Sequence, residues 1–298
     1  MKISEVIKVS LLVPTRNRKE SLRRLLESID RIEIPQQVQV SVTVIDNGSA
    51  DGTAAFLTAK INRPTNVSFL TLTESRQGKA SALNRGLACT TGDVFLVIDD
   101  DVVVDPHLIT GHLQGYRATH FDALQGRILP GVDPAGRGAD PGRLREYNIP
   151  LIDYGSDYCE IRGLTGTNMS FKREVFEKIG FFDPRLGPGA AGYSEDSEFS
   201  IRARRAGFKI GYTPHAIVYH ELSPERYGRK YNRDAEYRKG LSRSIYRGDS
   251  ILFRVIPDLL ANCVRYGFYK SMGRSQKANK TEGRLMKHWG YLAGKLRR

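Results

Sequence analysis

Asp99, Asp100 and Asp101 stand directly behind the apolar run Val94-Phe95-Leu96-Val97-Ile98. Three adjacent carboxylates resist joint ionisation, so something positive belongs beside them. A divalent cation that also holds phosphate meets that need. An acidic turn capping the next helix is the plainer alternative, because Asp is a good N-cap. A further carboxylate, Asp46, closes the run Val38 to Asp46, and the pair Glu195-Asp196 opens another helical stretch. One carboxylate of such a set can take a proton from an attacking hydroxyl. The cations Arg76 and Lys79 lead into a helix, where free backbone amides favour an anion such as a diphosphate. Each group also has a structural reading, as turn former, helix cap or solvated surface charge.

These groups need a frame. Val9 to Val13, Val38 to Asp46, Val67 to Thr73 and Val94 to Asp99 read as strands, and the stretches between them as helices. Asn17 and Glu20 stand at N-cap and N3 spacing before Leu22, Leu25, Leu26 and Ile29. Asn47-Gly48-Ser49-Ala50-Asp51-Gly52 is a turn into the second helix, and Gly78 to Cys89 is the third. Such alternation predicts an α/β fold with a mostly parallel sheet flanked by helices. Ligands of such sheets bind beyond the carboxyl ends of the strands. Asp46 and Asp99 both end strands, which places them on one rim and favours a site over a cap. Residues 130–160, rich in Gly and Pro, read as a long loop. Phe171 to Ile179 reads as a short helix, Glu195 to Ala206 as a longer one stopped by Gly207, and Lys209 to Tyr212 and Ala216 to Tyr219 as late strands.

With 298 residues and 40% hydrophobic content, the chain can bury a sizeable core. Its three cysteines, Cys89, Cys159 and Cys263, form no CxxC pair, which argues against a zinc site or disulfide framework and for a reducing, cytoplasmic setting. The N-terminus shows no apolar signal segment, and no stretch reaches the roughly 20 apolar residues of a membrane span. Of 46 Lys/Arg and 33 Asp/Glu, 19 and 5 lie in residues 226–298, so the formal charge of +13 belongs to the tail. The expected organisation is a domain over 1–225 and a basic, mainly helical extension over 226–298.

Five segments carry a resemblance to the inverting family 2 glycosyltransferases: Val13-Pro14-Thr15-Arg16-Asn17-Arg18, Val44-Ile45-Asp46-Asn47-Gly48-Ser49, Gly78 to Gly86, the aspartate triplet, and Glu195-Asp196 with its helix. The likeness covers roughly residues 8–220 and implies the GT-A fold, a Rossmann-like sheet flanked by helices. It implies transfer of sugar from a UDP-, GDP- or dTDP-sugar to a hydroxyl of a glycan or lipid-linked acceptor, with Mn²⁺ or Mg²⁺, as in polysaccharide or glycolipid synthesis. Transfer of a single sugar is expected because the motif and spans of processive members are not found. By the same likeness Pro14, Thr15, Arg16 and Asp46 line the nucleotide base, with Arg16 where the family often has an aromatic residue. Arg76 and Lys79 would approach the diphosphate, Asp99 the ribose, and Asp101 the metal. His220 is a candidate second ligand, although a lone His is often structural. Asp196 matches the family's catalytic base, Glu195 would bind acceptor or hold that base, and Gly166 and Asn168 fall in the acceptor-side segment. The Gly-rich approach Gly187-Pro188-Gly189-Ala190-Ala191-Gly192 suits a substrate-gated loop. Asn84 reads as structural, and Asp100 receives no role.

The Q-x-x-R-W motif and membrane spans of processive members are absent from the sequence. A sugar nucleotidyltransferase would want a G-x-G-x-R motif after the first strand, and Pro14-Thr15-Arg16-Asn17-Arg18 does not supply it. A non-catalytic scaffold with a degenerate domain is a third reading, opposed by the joint presence of Asp46, Asp101 and Asp196. In the tail, Leu252, Val255, Ile256, Leu259, Leu260 and Cys263 lie on one side of an amphipathic helix, with Arg254, Asp258, Asn262 and Arg265 opposite. The tail therefore either docks on an anionic membrane, giving a peripheral location, or packs on the domain or a second subunit. Nucleic acid is disfavoured, because no recognised module accompanies the basic and aromatic residues.

Overall fold

The computed structural model describes residues 6–61, 67–131, 151–221, 226 and 228–297. Most of the Gly/Pro-rich stretch expected as a loop, and residues 222–225 at the end of the expected domain, lie outside the described residues. Strands β1 (Ile7–Thr15), β2 (Val38–Asp46), β3 (Ser68–Thr73) and β4 (Val94–Ile98) alternate with helices α1 (Lys19–Ile29), α2 (Thr53–Ile61) and α3 (Lys79–Cys89). The chain continues through β5 (Val102–Val104), α4 (Leu108–Ala118), β6 (Ala123–Pro130), β7 (Cys159–Glu160), β8 (Asn168–Lys172), α5 (Arg173–Ile179), α6 (Glu195–Arg205) and β9 (Ile210–His220). The described strands form one sheet in the order β3-β2-β1-β4-β8-β6-β9-β5, with β7 also on β9.

The first four strands are parallel, as the alternation predicts. The rest of the sheet is mixed: β8 runs antiparallel to β4 and β6, and β9 pairs parallel with β6. Strand periodicity divides the core between the two faces. Leu11, Val13, Leu96 and Ile98 pack with α1 residues Leu22, Leu25 and Leu26 on one side. Leu12, Phe95 and Val97 pack with Leu83, Phe171, Phe182 and Phe199 on the other. Phe182 stacks on Phe199 with ring centroids 4.5 Å apart.

Three expectations need correcting. Asn17 is not an N-cap: it has φ 51°, and its Oδ1 accepts the Ala50 amide at 2.7 Å, tying two rim loops together. Asp51 instead accepts the Lys19 amide at the start of α1. Phe171 lies in strand β8, where cross-strand pairing with Phe95 and burial outweigh local helix propensity. The two expected late strands are one, β9 from Ile210 to His220, whose register on β6 slips between Gly126 and Arg127 as Pro214 to Ala216 bulge out.

The tail holds α7 (Arg229–Tyr246), a π-helical turn (Ile251–Val255), α8 (Ile256–Ser271) and α9 (Ser275–Leu296). Helices α7 and α9 meet through glycines. A Cβ on Gly240 would stand 2.1 Å from the Lys287 carbonyl, and one on Gly290 2.0 Å from that of Tyr237. Arg229 of α7 donates to Glu282 of α9. The expected polar face of α8 is corrected at Asn262, which is buried and donates to the Asp258 carbonyl at 2.7 Å.

Candidate active site

A cleft of about 1040 Å³ opens beyond the carboxyl ends of β1 and β4. Pro14, Thr15 and Arg16 line it from β1 and the loop behind, Asp99 to Asp101 from the end of β4, and Gly166 from the approach to β8. Glu195 and Asp196 enter from the first turn of α6. The far wall is the tail: Tyr231, Asn232, Arg238, Lys239 and Tyr246 of α7, and Lys287 of α9.

The triplet is a crossing between two parts of the sheet. β4 pairs with β1, whereas β5, beginning one residue after Asp101, pairs with β9 so that Val102 faces His220. Each aspartate therefore meets a different neighbour. Asp99 accepts from Lys79 Nζ and, at 2.8 Å, from Thr167 Oγ1. Asp100 accepts from Thr15 Oγ1 at 2.8 Å and lies 3.5 Å from Arg18. Asp101 accepts from Arg18 and, at 3.0 Å, from Arg226, and its Oδ1 lies 3.3 Å from His220 Nε2. Burial pushes the Asp100 carboxyl up to about 7 against the pull of Arg18. Burial also works against Asp101, but His220, Arg18 and Arg226 together hold it well below the usual carboxylate range. The crowding is relieved unequally: Asp99 and Asp101 have cationic partners, whereas Asp100 leans on the Thr15 hydroxyl and a share of Arg18.

His220 is buried, its Nδ1 has no partner among the described residues, and its Nε2 faces both Asp101 and, at 3.3 Å, Arg226 Nη1. An imidazole nitrogen and a carboxylate oxygen at that separation can serve as neighbouring ligands of one hard divalent ion. Among the described residues no cluster of three His, Cys, Asp or Glu could hold an ion alone. The donor set thus fits a cation whose remaining ligands come from substrate or water.

Lys79 is half-buried between Asp99 and Glu195, with Nζ 3.5 Å from Glu195 Oε1. Burial works against its charge, but the facing carboxylates outweigh it and raise its pKa. The close fit explains Gly166, where a Cβ would come 2.9 Å from that ammonium. Gly166 also donates its amide to Asp196 Oδ2 at 3.0 Å, while Asp196 Oδ1 accepts the Ser197 amide at 2.6 Å. Two backbone donors, one from the loop before β8 and one from the first turn of α6, therefore hold the Asp196 carboxylate at the cleft.

Glu195 is buried, and burial pushes its carboxyl up to about 7, opposed by Lys79 and reinforced by Asp196. A Glu pKa raised above its unfolded value contributes stability that is complete below about 4.5 and is lost as pH rises through about 7. Glu195→Gln should therefore flatten the fall in unfolding free energy across that window, by on the order of 1–3 kcal/mol. Urea titrations of both proteins at several pH values measure the effect, and identical slopes would refute it.

Several expected site residues are placed otherwise. Arg76 does not line the cleft; it is exposed and paired with Glu74 at 3.1 Å. The start of α3 is not a free anion seat, since the Gly78 amide donates to Asn47 Oδ1 and the Lys79 amide to the Pro188 carbonyl. Asn168 cannot reach an acceptor. It is fully buried, donating to the Arg127 and Ala216 carbonyls across the β9 bulge and accepting from His112 Nε2 at 2.9 Å. Asp46 is buried beside Thr15, and its Oδ1 accepts the Ser49 amide at 2.9 Å. Asn84 is structural, exchanging two bonds with the backbone of Phe182.

The Gly-rich approach to α6 is no free flap. Gly192 donates to the Gly187 carbonyl at 2.8 Å, and Tyr193 donates to Ser242 Oγ of α7 at 3.2 Å. Sequence reasoning passed over Arg18, Arg226 and Thr167, which neutralise or orient the triplet. The signal for Arg18 was available, three residues beyond Thr15 in a segment already singled out; Arg226 gave none.

The profile of glycosyl transferase family 2 matches residues 10–180. The probable glycosyltransferase YdaM of Bacillus subtilis (strain 168) is 27% identical over 244 residues, covering 75% of this chain and 52% of its own length. A poly-β-1,6-N-acetyl-D-glucosamine synthase of Staphylococcus aureus is 22% identical over 243 residues, covering 80% of this chain and 55% of its own. The chain thus spans about half the length of these relatives. Among solved structures, the mannosyltransferase PcManGT from Pyrobaculum calidifontis, in complex with GDP-Man and Mn²⁺, superposes with a TM-score of 0.59 at 17% identity. That match covers 98% of this chain and 74% of the other. S. aureus TarS 1–349 with UDP-GlcNAc gives a TM-score of 0.52 at 16% identity over 98% of this chain and 93% of the other.

Proposed function

Since the chain belongs to glycosyltransferase family 2, we propose that its cleft moves one sugar from a nucleotide-sugar donor to a hydroxyl of a glycan or lipid-linked acceptor, with inversion. The observation that carries this reading is the convergence, in one cleft, of the triplet below and Asp196 opposite. The family match displaces the nucleotidyltransferase alternative.

In this reading Pro14, Thr15 and Arg16 flank the nucleotide base, and Asp46 supports them from the next strand. Asp99 takes the ribose, held in position by Lys79 and Thr167. Asp101 and His220 hold Mn²⁺ or Mg²⁺, in keeping with the Mn²⁺ of the PcManGT complex. Such an ion supplies Lewis-acid stabilisation of the departing diphosphate. Asp196 accepts the acceptor's proton as its oxygen bonds to the anomeric carbon. The bond from that carbon to the diphosphate breaks on the opposite face, and the electron pair leaves with the nucleotide. Glu195, locked to Lys79 behind Asp196, is a positioning residue. Arg18 and Arg226, the current partners of Asp101, are close enough to the triplet to meet diphosphate charge. A lipid-linked acceptor would put this reaction at the face of a membrane.

Thermal-shift titration with UDP, GDP and dTDP, with and without Mn²⁺, tests the reading. A nucleotide at a hundredfold excess over its Kd should stabilise the protein by about 2.7 kcal/mol, and Asp101→Ala should abolish the Mn²⁺-dependent part. If none of the three nucleotides stabilises the protein in the presence of Mn²⁺, the reading fails.

A further inference from the structure

Helix α8 has two apolar sides, and only one is covered. Val255 and Asn262 turn inward and are buried, with Leu259 and Tyr266 partly covered between and beyond them. The outward side carries Leu260, Val264 and Phe268, which are 61%, 74% and 54% exposed. The π-helical turn before it adds Leu252 at 69% and Phe253 at 88%, and Met272 continues the line at 54%. At 100° per residue, positions 260, 264 and 268 of α8 fall within one narrow arc, and Phe253 of the turn is exposed with them. An open row of large apolar side chains on one helix is uncommon on a protein that meets only water.

We propose that this outward side of α8, with the turn Ile251–Val255, docks on an anionic lipid bilayer. Charge selects that occupant. Residues 251–284 carry seven Lys/Arg against two Asp/Glu, and Arg254 and Arg265 stand beside the apolar arc with Lys270 on its other flank. Basic residues beside an apolar helical face suit anionic headgroups, with the apolar side chains sinking to the acyl boundary. A second copy bound through the same face would set this basic margin against itself, since a two-fold contact repeats one surface on both partners. No described helix is long and apolar enough to cross a membrane, so α8 would lie in the plane of the interface. Docking deepens the transferase reading, on which its use rests: it would bring the cleft, whose wall α7 and α9 form, to acceptors held in the bilayer.

The test is co-sedimentation of the full chain with vesicles of phosphatidylcholine alone and of phosphatidylcholine with phosphatidylglycerol. The protein should pellet with the anionic vesicles, and less so at high salt. The combined variant Leu260→Glu, Val264→Glu, Phe268→Glu should lose at least roughly tenfold in apparent affinity. Its positions are exposed, so its melting temperature and its nucleotide-dependent shift should match those of the parent. A parent that ignores anionic vesicles, or a variant that binds them equally well, overturns the proposal. So does a parent dimer that the variant splits in sedimentation equilibrium without any vesicle binding, which makes a second copy the occupant. Vesicle binding with no nucleotide-dependent shift would leave the docking surface standing and remove the transferase reading.

Discussion

Asp196→Asn is expected to lower the turnover of sugar transfer by about 10²–10⁴-fold, the usual contribution of a general base, while donor affinity stays close to that of the parent. The carboxylate sits where two backbone amides hold it, Gly166 at 3.0 Å and Ser197 at 2.6 Å. Asn keeps the size and one oxygen, so the helix start and one of these bonds survive. On the proposed mechanism, what disappears is the group that receives the acceptor's proton, which acts in the transition state rather than in donor binding. Initial rates with a transferred sugar give the first quantity, and calorimetric titration of the donor with Mn²⁺ gives the second. If donor affinity collapses along with turnover, Asp196 belongs to the donor site and the assignment of the base is wrong.

The second large effect is on stability. Lys79→Met should destabilise the protein by about 3–5 kcal/mol, because it strands the buried Glu195 carboxylate and the half-buried Asp99 without their cation. Asp99 and Glu195 both face the Lys79 ammonium, and Glu195 is buried. The pKa of Lys79 is raised in the folded state, so its contribution is complete below about 10.5 and is lost only as pH climbs past the folded value. The deficit of the variant should shrink in acid, where Glu195 takes up its own proton. Adding Glu195→Gln to Lys79→Met should restore part of the loss if charge is the cause. Urea denaturation of the parent, both single variants and the double variant closes the cycle. A strictly additive result would place the effect in lost packing instead.

The parallel half of the fold was legible because its strands are short, apolar and punctuated. Val94 to Ile98 reads as buried on both faces, and each of its five residues is buried. β8 was hidden because Asn168 to Lys172 alternates weakly and runs straight into α5, so local signals favoured a helix through Phe171. Its strand state is imposed by β4 and β6 on either side. The same limit applied in the site. Asp99 and Asp196 could be found from their places at the end of a strand and the start of a helix. Asn168 sits in a suggestive segment, yet its direction depends on a bulge in a strand more than forty residues later. The partners of Asp101 come from residues 18, 220 and 226, and no local pattern in the chain announces that meeting.

One wall of the cleft comes from α7 and α9, and their placement sets a timetable for the newborn chain. A ribosome releases β1 to β4 first, and these neighbours can pair early. Arg18 is in place beside the triplet from that stage, while Arg226 and the glycine-lined seam of α7 and α9 follow later. A translation product cut short after β9 would own a sheet and the Asp196 carboxylate but a trough open on one side. Synthesis of α7 and α9 is thus itself the event that closes that side of the cleft.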